Sequence, residues 1–412
     1  MQRTPESTTL VNQAGAFDAT VDSAEVVVLP VEVPISVRGT DARSTVLPRV
    51  ERTGEGATLV SSMARPRFET GRSLGQGGIG EVVAAMDQDI GREVAIKRLR
   101  GDVQGPAAVA RFVDEIRTVG ALEHPNIVPI HDVGVDDDGS LYFVMRCVQG
   151  ETLESVIERL AAGDRLAHAQ WTHERRVHVF RQLLDAVAFA HERGYVHRDI
   201  KPANIMVGHW GEVFLMDWGI AKPVGTPDLP SPSAGGASAT GERATATHVG
   251  SVIGTPAYMS PEQARGQPVD FRSDVYSLSV LFHELLGLKH YLDHCTTVEA
   301  VLDGVQTAHA PAPSFVPSPH QPPAPMDLSW YVRKGLAKEP AMRYQTVREM
   351  IERLDDRENG IVPVQCPSTF SKRLMRLPIR FVDRHPLLFM ALLGVFVLGV
   401  VASGAFAVWR WV

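Results

Sequence analysis

"HRDIKPAN", His197 to Asn204, followed by "MDWG", Met216 to Gly219, is the run on which the reading of this 412-residue chain turns. Two carboxylates, Asp199 and Asp217, fall here with a carboxamide, Asn204, and an ammonium, Lys201. A polar turn between two helices gives such a run on its own, so the flanking pattern has to decide. "NIMV" and "EVFLMD" read as short strands, while Val177 to Arg193 and Val275 to Leu286 carry apolar residues at helical spacing. The run therefore sits in a mostly helical region that begins near Leu153 and whose periodic pattern ends near Leu354.

Nearer the N-terminus the period changes. "RSLGQGGIGEVVAAMD", "GREVAIKRLR", "IVPIHDVGV" and "LYFVMRCV" are short β-branched runs with turn residues between them, which predicts a small sheet from Phe68 onward. Val109, Phe112, Ile116, Val119 and Leu122 predict one helix crossing it. Gly75, Gly77 and Gly80, with Val82, form a GxGxxGxV loop between two strands, where glycine lets backbone amides close over phosphates. A dinucleotide-binding turn would need a helix next, and "EVVAAM" reads as a strand. Lys97 in "VAIK" lies between apolar neighbours in a strand, which is costly without an anionic partner, and Glu115 on the crossing helix can supply it. Phosphoryl transfer needs a carboxylate to take the hydroxyl proton, oxygen ligands for Mg²⁺ and cations against the phosphate. Asp199, Asn204, Asp217 and Lys201 are of the right types.

With these motifs in this order, the chain from Phe68 to about Leu354 resembles the eukaryotic-like serine/threonine protein kinases of bacteria. The resemblance implies an α+β, two-lobed fold: an N-lobe over 67–148, a helical C-lobe over 149–355 and an activation segment over 217–262. It implies that ATP and Mg²⁺, or Mn²⁺, are bound, with protein substrates phosphorylated on Ser or Thr. Asp199 is then the catalytic base; Lys97 and Glu115 hold the phosphates; Lys201 marks the serine/threonine branch; Asn204 and Asp217 are the metal ligands. The nucleotide site would comprise Leu74, Gly75, Gln76, Gly77, Gly78, Ile79, Gly80, Glu81, Val82, Ala95 and Lys97. Met145 and Cys147 would contribute from the adenine hinge, Met145 as gatekeeper. In "GTPAYMSPEQ" Thr255 resembles the substrate-docking threonine, Glu262 is expected to pair with Arg343, and Asp274 to brace the catalytic loop. Trp218 stands where the family usually has Phe, and Ser260 where it has Ala. Arg198 resembles the arginine that receives an activation-loop phosphate, with Thr245, Thr247, Ser251 and Thr255 as acceptors by autophosphorylation. A pseudokinase or scaffold is the alternative, yet such proteins usually lack the counterparts of Lys97, Asp199 or Asp217.

The remainder is read from composition. A formal charge of -7 argues against a nucleic-acid partner, and three cysteines at wide spacing suit a reducing compartment. Residues 1–66 lack a sustained period and are expected to form a mostly disordered tail without a secretory signal. Pro223 to Thr247 and His309 to Pro325 are low-complexity loops expected to be mobile. Pro386 to Val408 carries no charge, and the 22 residues from Leu387 onward would span about 33 Å as a helix, which predicts one transmembrane helix over 386–408 in contact with membrane lipids. Lys372, Arg373, Arg376, Arg380 and Arg384 in the linker 356–385 place the kinase side in the cytoplasm; 409–412 is a short end. Gly399, Ser403 and Ala407 form a small-residue row that would suit a homodimer.

Overall fold

A computed structural model describes residues 49–53, 56–60, 66–77, 80–100, 105–136, 139–223 and 254–361, with scattered positions beyond. Strands β1 (Arg49–Thr53) and β2 (Gly56–Val60) pair antiparallel. This hairpin pairing lies within the stretch 1–66 expected to be mostly without regular structure, where the two runs satisfy each other's backbone. Next come β3 (Phe68–Gln76), β4 (Gly80–Asp87), β5 (Arg92–Leu99), helix α1 (Pro106–Ala121), β6 (Ile130–Val135) and β7 (Leu141–Arg146). They build a five-stranded antiparallel sheet in the order β3-β4-β5-β7-β6, with α1 across it. Pro at the start of α1 suits a helix N-terminus, and Phe112 packs 5.4 Å from Phe143 of β7, fixing the helix against the sheet.

The second lobe starts with β8 (Gly150–Thr152), α2 (Leu153–Ala161), α3 (Arg165–Gln170) and α4 (His173–Glu192). Then follow β9 (Tyr195–Val196), β10 (Ile205–Gly208), β11 (Val213–Leu215), β12 (Lys222–Pro223), α5 (Gly254–Ala257) and α6 (Pro261–Ala264). α7 (Phe271–Gly287), α8 (Val298–Thr307), α9 (Met326–Gly335) and α10 (Val347–Glu358) complete it. Thr152, Asp164, Thr172, Asp270, Thr297 and Thr346 cap their helices through side-chain oxygens, which explains where those helices begin. α7 is buried along nearly its whole length. Its Phe282 stacks on Phe180 of α4 at 4.0 Å, with Tyr331 of α9 set edge-on to both.

The proline-rich stretch 309–325 is not a free loop. His283 bonds Pro311 O, Ser314 Oγ bonds Ala324 O, and Gln321 accepts from the buried Arg176 while donating to Leu286 O. The Pro311 carbonyl and the Gln321 side chain satisfy polar groups of α4 and α7, a role that composition cannot report. Residues 224–253 lie outside the described residues, and so do Thr245, Thr247, Ser251, Gly78 and Ile79. Most of 386–408 also lies outside them; among the described residues no helix is long and apolar enough to cross a membrane.

Candidate active site

The two lobes enclose a cavity of about 860 Å³, a size that takes a nucleotide. Its roof is the β3–β4 hairpin, with Leu74, Gly75, Gln76, Gly77, Gly80 and Val82 on the wall; Ala95, Lys97, Met145 and Cys147 line it as well. Glu81 does not. It pairs with Arg98 in the strand register and is not among the lining residues, because alternate strand residues face opposite sides of the sheet. Val119, Val128, Met206 and Leu215 complete the apolar wall; sequence reasoning had not singled them out for it, since an apolar residue facing a ligand reads like any core residue. Burial raises the Cys147 thiol above its ordinary range, so it stays protonated as a contact residue.

Lys97 Nζ donates to Glu115 Oε1 at 2.5 Å and lies 3.5 Å from Asp217 Oδ1. β5 places the lysine, α1 the glutamate, and the segment after β11 the aspartate. Burial works against the Lys97 charge, but Glu115 and Asp217 outweigh it and hold the ammonium above its ordinary range. The lysine is therefore a permanent cation aimed at the cavity.

Asp199 and Lys201 are not among the residues lining the cavity; Asn204, which is, joins them to it. Lys201 Nζ donates to Asp199 Oδ2 at 2.7 Å, and Asn204 Nδ2 donates to the Asp199 carbonyl and to Oδ2 at 2.9 and 3.0 Å. Asn204 keeps Oδ1 as an acceptor. With the Asp217 carboxylate it makes a small set of hard oxygens, which suits Mg²⁺ or Mn²⁺ held partly by phosphates. His197 organises the loop from within: Nδ1 accepts from Asp199 N at 3.3 Å, so Nε2 carries the proton it donates to Met216 O at 3.1 Å. Complete burial lowers its pKa and keeps the ring neutral. Arg198 and Asp217 take the left-handed backbone, φ 69 and 59, a strained state for non-glycine residues. The buried Asp274 of α7 compensates at Arg198, accepting from the His197 and Arg198 amides at 2.8 and 2.9 Å and from His191 at 2.8 Å.

The segment Gly254 to Gln263 is held twice. Glu262 receives Arg343 through two bonds of 2.8 Å, as expected from the sequence, and burial is overcome so that its carboxyl falls to about 2. Ser260 caps α6 in a capping box with Gln263, which gives the serine its purpose. Gln263 Nε2 then bonds Arg198 O at 2.9 Å, tying this segment to the catalytic loop. The Ser-x-x-Gln spacing was the available signal for Gln263. Thr255 falls in α5.

Residues 68–353 match the protein kinase domain family. The chain belongs to that family. It is 38% identical over 288 residues to a probable serine/threonine-protein kinase of Streptomyces coelicolor, covering 69% of this chain and 39% of that one. It is 36% identical over 301 residues to serine/threonine-protein kinase PknB of Mycobacterium tuberculosis, covering 72% and 44%. With serine/threonine-protein kinase PknD of Protochlamydia amoebophila it shares 33% over 294 residues, 70% of this chain and 30% of the relative. The chain thus spans less than half the length of these relatives.

Proposed function

We propose that the chain is a serine/threonine protein kinase that moves the γ-phosphate of ATP to protein hydroxyls and phosphorylates its own activation segment. The observation that carries this reading is the coexistence of two assembled parts: the Lys97–Glu115–Asp217 group on the cavity wall, and Asp199 bonded to Lys201 and to Asn204, the last of which lines the same cavity. Lys97, fixed by Glu115, is placed to receive phosphate oxygens. Asp199, oriented by Asn204 and paired with Lys201, accepts the proton of the substrate hydroxyl, while Lys201 faces the transferred charge. Asn204 and Asp217 would hold Mg²⁺ or Mn²⁺, which supplies charge neutralisation between the phosphates. Leu74 to Val82 would cover the triphosphate, and Met145 to Val148 would meet the adenine.

Thr245, Thr247, Ser251 and Thr255 remain the proposed acceptors, Thr247 foremost, with Arg198 as the receiving cation. We also place the protein at a membrane through 386–408, with the catalytic part cytoplasmic. A homodimer through Gly399, Ser403 and Ala407 would favour phosphorylation in trans. The test is transfer of labelled γ-phosphate from Mg·ATP to the protein itself and to a generic basic protein, comparing wild type with Asp199→Asn. The variant is expected to lose at least a hundredfold, the scale of a general base. No transfer by wild type despite ATP binding would make it a scaffold.

A further inference from the structure

Two buried polar atoms in the cavity wall have no hydrogen-bond partner, Glu115 Oε2 and Trp218 Nε1. One is an acceptor and the other a donor. Among the described residues no other carboxylate oxygen is buried unpaired, and of the unpaired buried donors only Trp218 Nε1 belongs to a residue lining this cavity. The backbone next to Trp218 reaches Glu115. Trp218 precedes Gly219, where an added Cβ would stand 3.3 Å from Glu115 Oε2. Trp218 is 2% exposed, and its ring is tilted 60° against His197 at 4.5 Å, so its N–H cannot turn to water for a partner. A phenyl ring would fill this place without a donor. An indole brings an N–H, and buried tryptophans usually find that group a partner.

We propose that Trp218 is a positioning residue for the phosphate clamp: in the nucleotide-bound protein its indole N–H donates to Glu115 Oε2 and fixes the carboxylate that holds Lys97. Glu115 then has both oxygens engaged, Oε1 by Lys97 and Oε2 by Trp218, and cannot rotate away from the lysine. A bond to a charged acceptor is roughly twice as strong as one between neutral groups, so this contact suffices to bias the orientation of the clamp. The inference deepens the kinase reading and rests on it for the identity of the ligand.

Calorimetry of Mg·ATP binding to the full chain tests it, with wild type, Trp218→Phe, Glu115→Gln and the double variant. Trp218→Phe keeps the ring packing and is expected to weaken binding about tenfold. Added to Glu115→Gln, it should change affinity by less than about twofold, because the acceptor charge is already gone. A second reading uses ¹⁵N-labelled tryptophan. The indole resonance that disappears in Trp218→Phe should move on ATP addition in wild type and stay in place in Glu115→Gln. Unchanged binding in Trp218→Phe, an equal loss in both backgrounds, or a resonance that moves alike in both overturns the proposal. Neither readout needs turnover, so a chain that binds ATP and transfers no phosphate would fail as a kinase and still decide the role of Trp218.

Discussion

Tyr258, in the segment Gly254 to Gln263, donates its hydroxyl to Glu284 Oε2 on α7, with the His290 ring 5.1 Å from its own. Burial pushes the Glu284 carboxyl up to about 7; the Tyr258 bond opposes this and Glu154 adds to it. From about 4.5 to 7 the unfolded chain has released this proton while the folded one keeps it, so this group makes stability fall as pH rises through that window. The effect reaches up to about 3 kcal/mol before solvent screening is discounted. Glu284→Gln should flatten that part of the profile and leave the variant at least as stable as wild type at pH 8. Thermal melts from pH 5 to 8 check it; parallel profiles for the two proteins would sink the assignment. Nothing in the local sequence marks Glu284, because its pKa is set by the burial of α7 and by Tyr258, distant in the chain.

Between elements, Arg343 joins α6, α7 and the turn before α10. It donates to Glu262 and to the carbonyls of Arg272, Ala337 and Lys338, while Ser273 Oγ adds a bond to Glu262. Removing one partner of a buried ion pair strands the other, so Arg343→Ala should cost about 3–5 kcal/mol. Arg343→Lys should recover only part of this, lacking the planar fork. Urea denaturation is the measurement, and a loss under 1 kcal/mol for Arg343→Ala would show the pair to be dispensable. Glu262 has a lowered folded pKa, so its contribution is present above about 4.5 and disappears as pH falls toward 2. The pairing was legible in the sequence from the motif resemblance. The linking role of Gln263 and the pinning of 309–325 were not, since both depend on carbonyls that only the packed helices bring near.

For the whole molecule, the cavity lies between a sheet-rich and a helical lobe, so the proposed site as a whole combines residues far apart in the chain. Lys97 and Glu115 come from one lobe, Asp199 and Asn204 from the other, and Asp217 meets the lysine across the gap. The proposed membrane attachment belongs to this scale too. The full chain is expected in the membrane fraction and released only by detergent, whereas a chain ending at residue 385 should be soluble and keep its activity toward a generic substrate. Carbonate-washed membranes probed for both forms give the answer, and an equally soluble full chain would remove the anchor from the proposal.

The amino-acid sequence by itself determined the two-lobed class and the residue types on the cavity. Strand and helix periods are local, and the chemistry of phosphoryl transfer leaves few substitutes for aspartate, lysine and asparagine at these positions. Tertiary structure decided what depends on burial and approach. It turned Glu81 away from the cleft, fastened a proline-rich loop to α4 and α7, raised Glu284 and lowered Glu262, and left Glu115 and Trp218 each with one unpaired buried atom on the cavity wall. Desolvation and hydrogen bonding act through space, and no spacing along the chain records them.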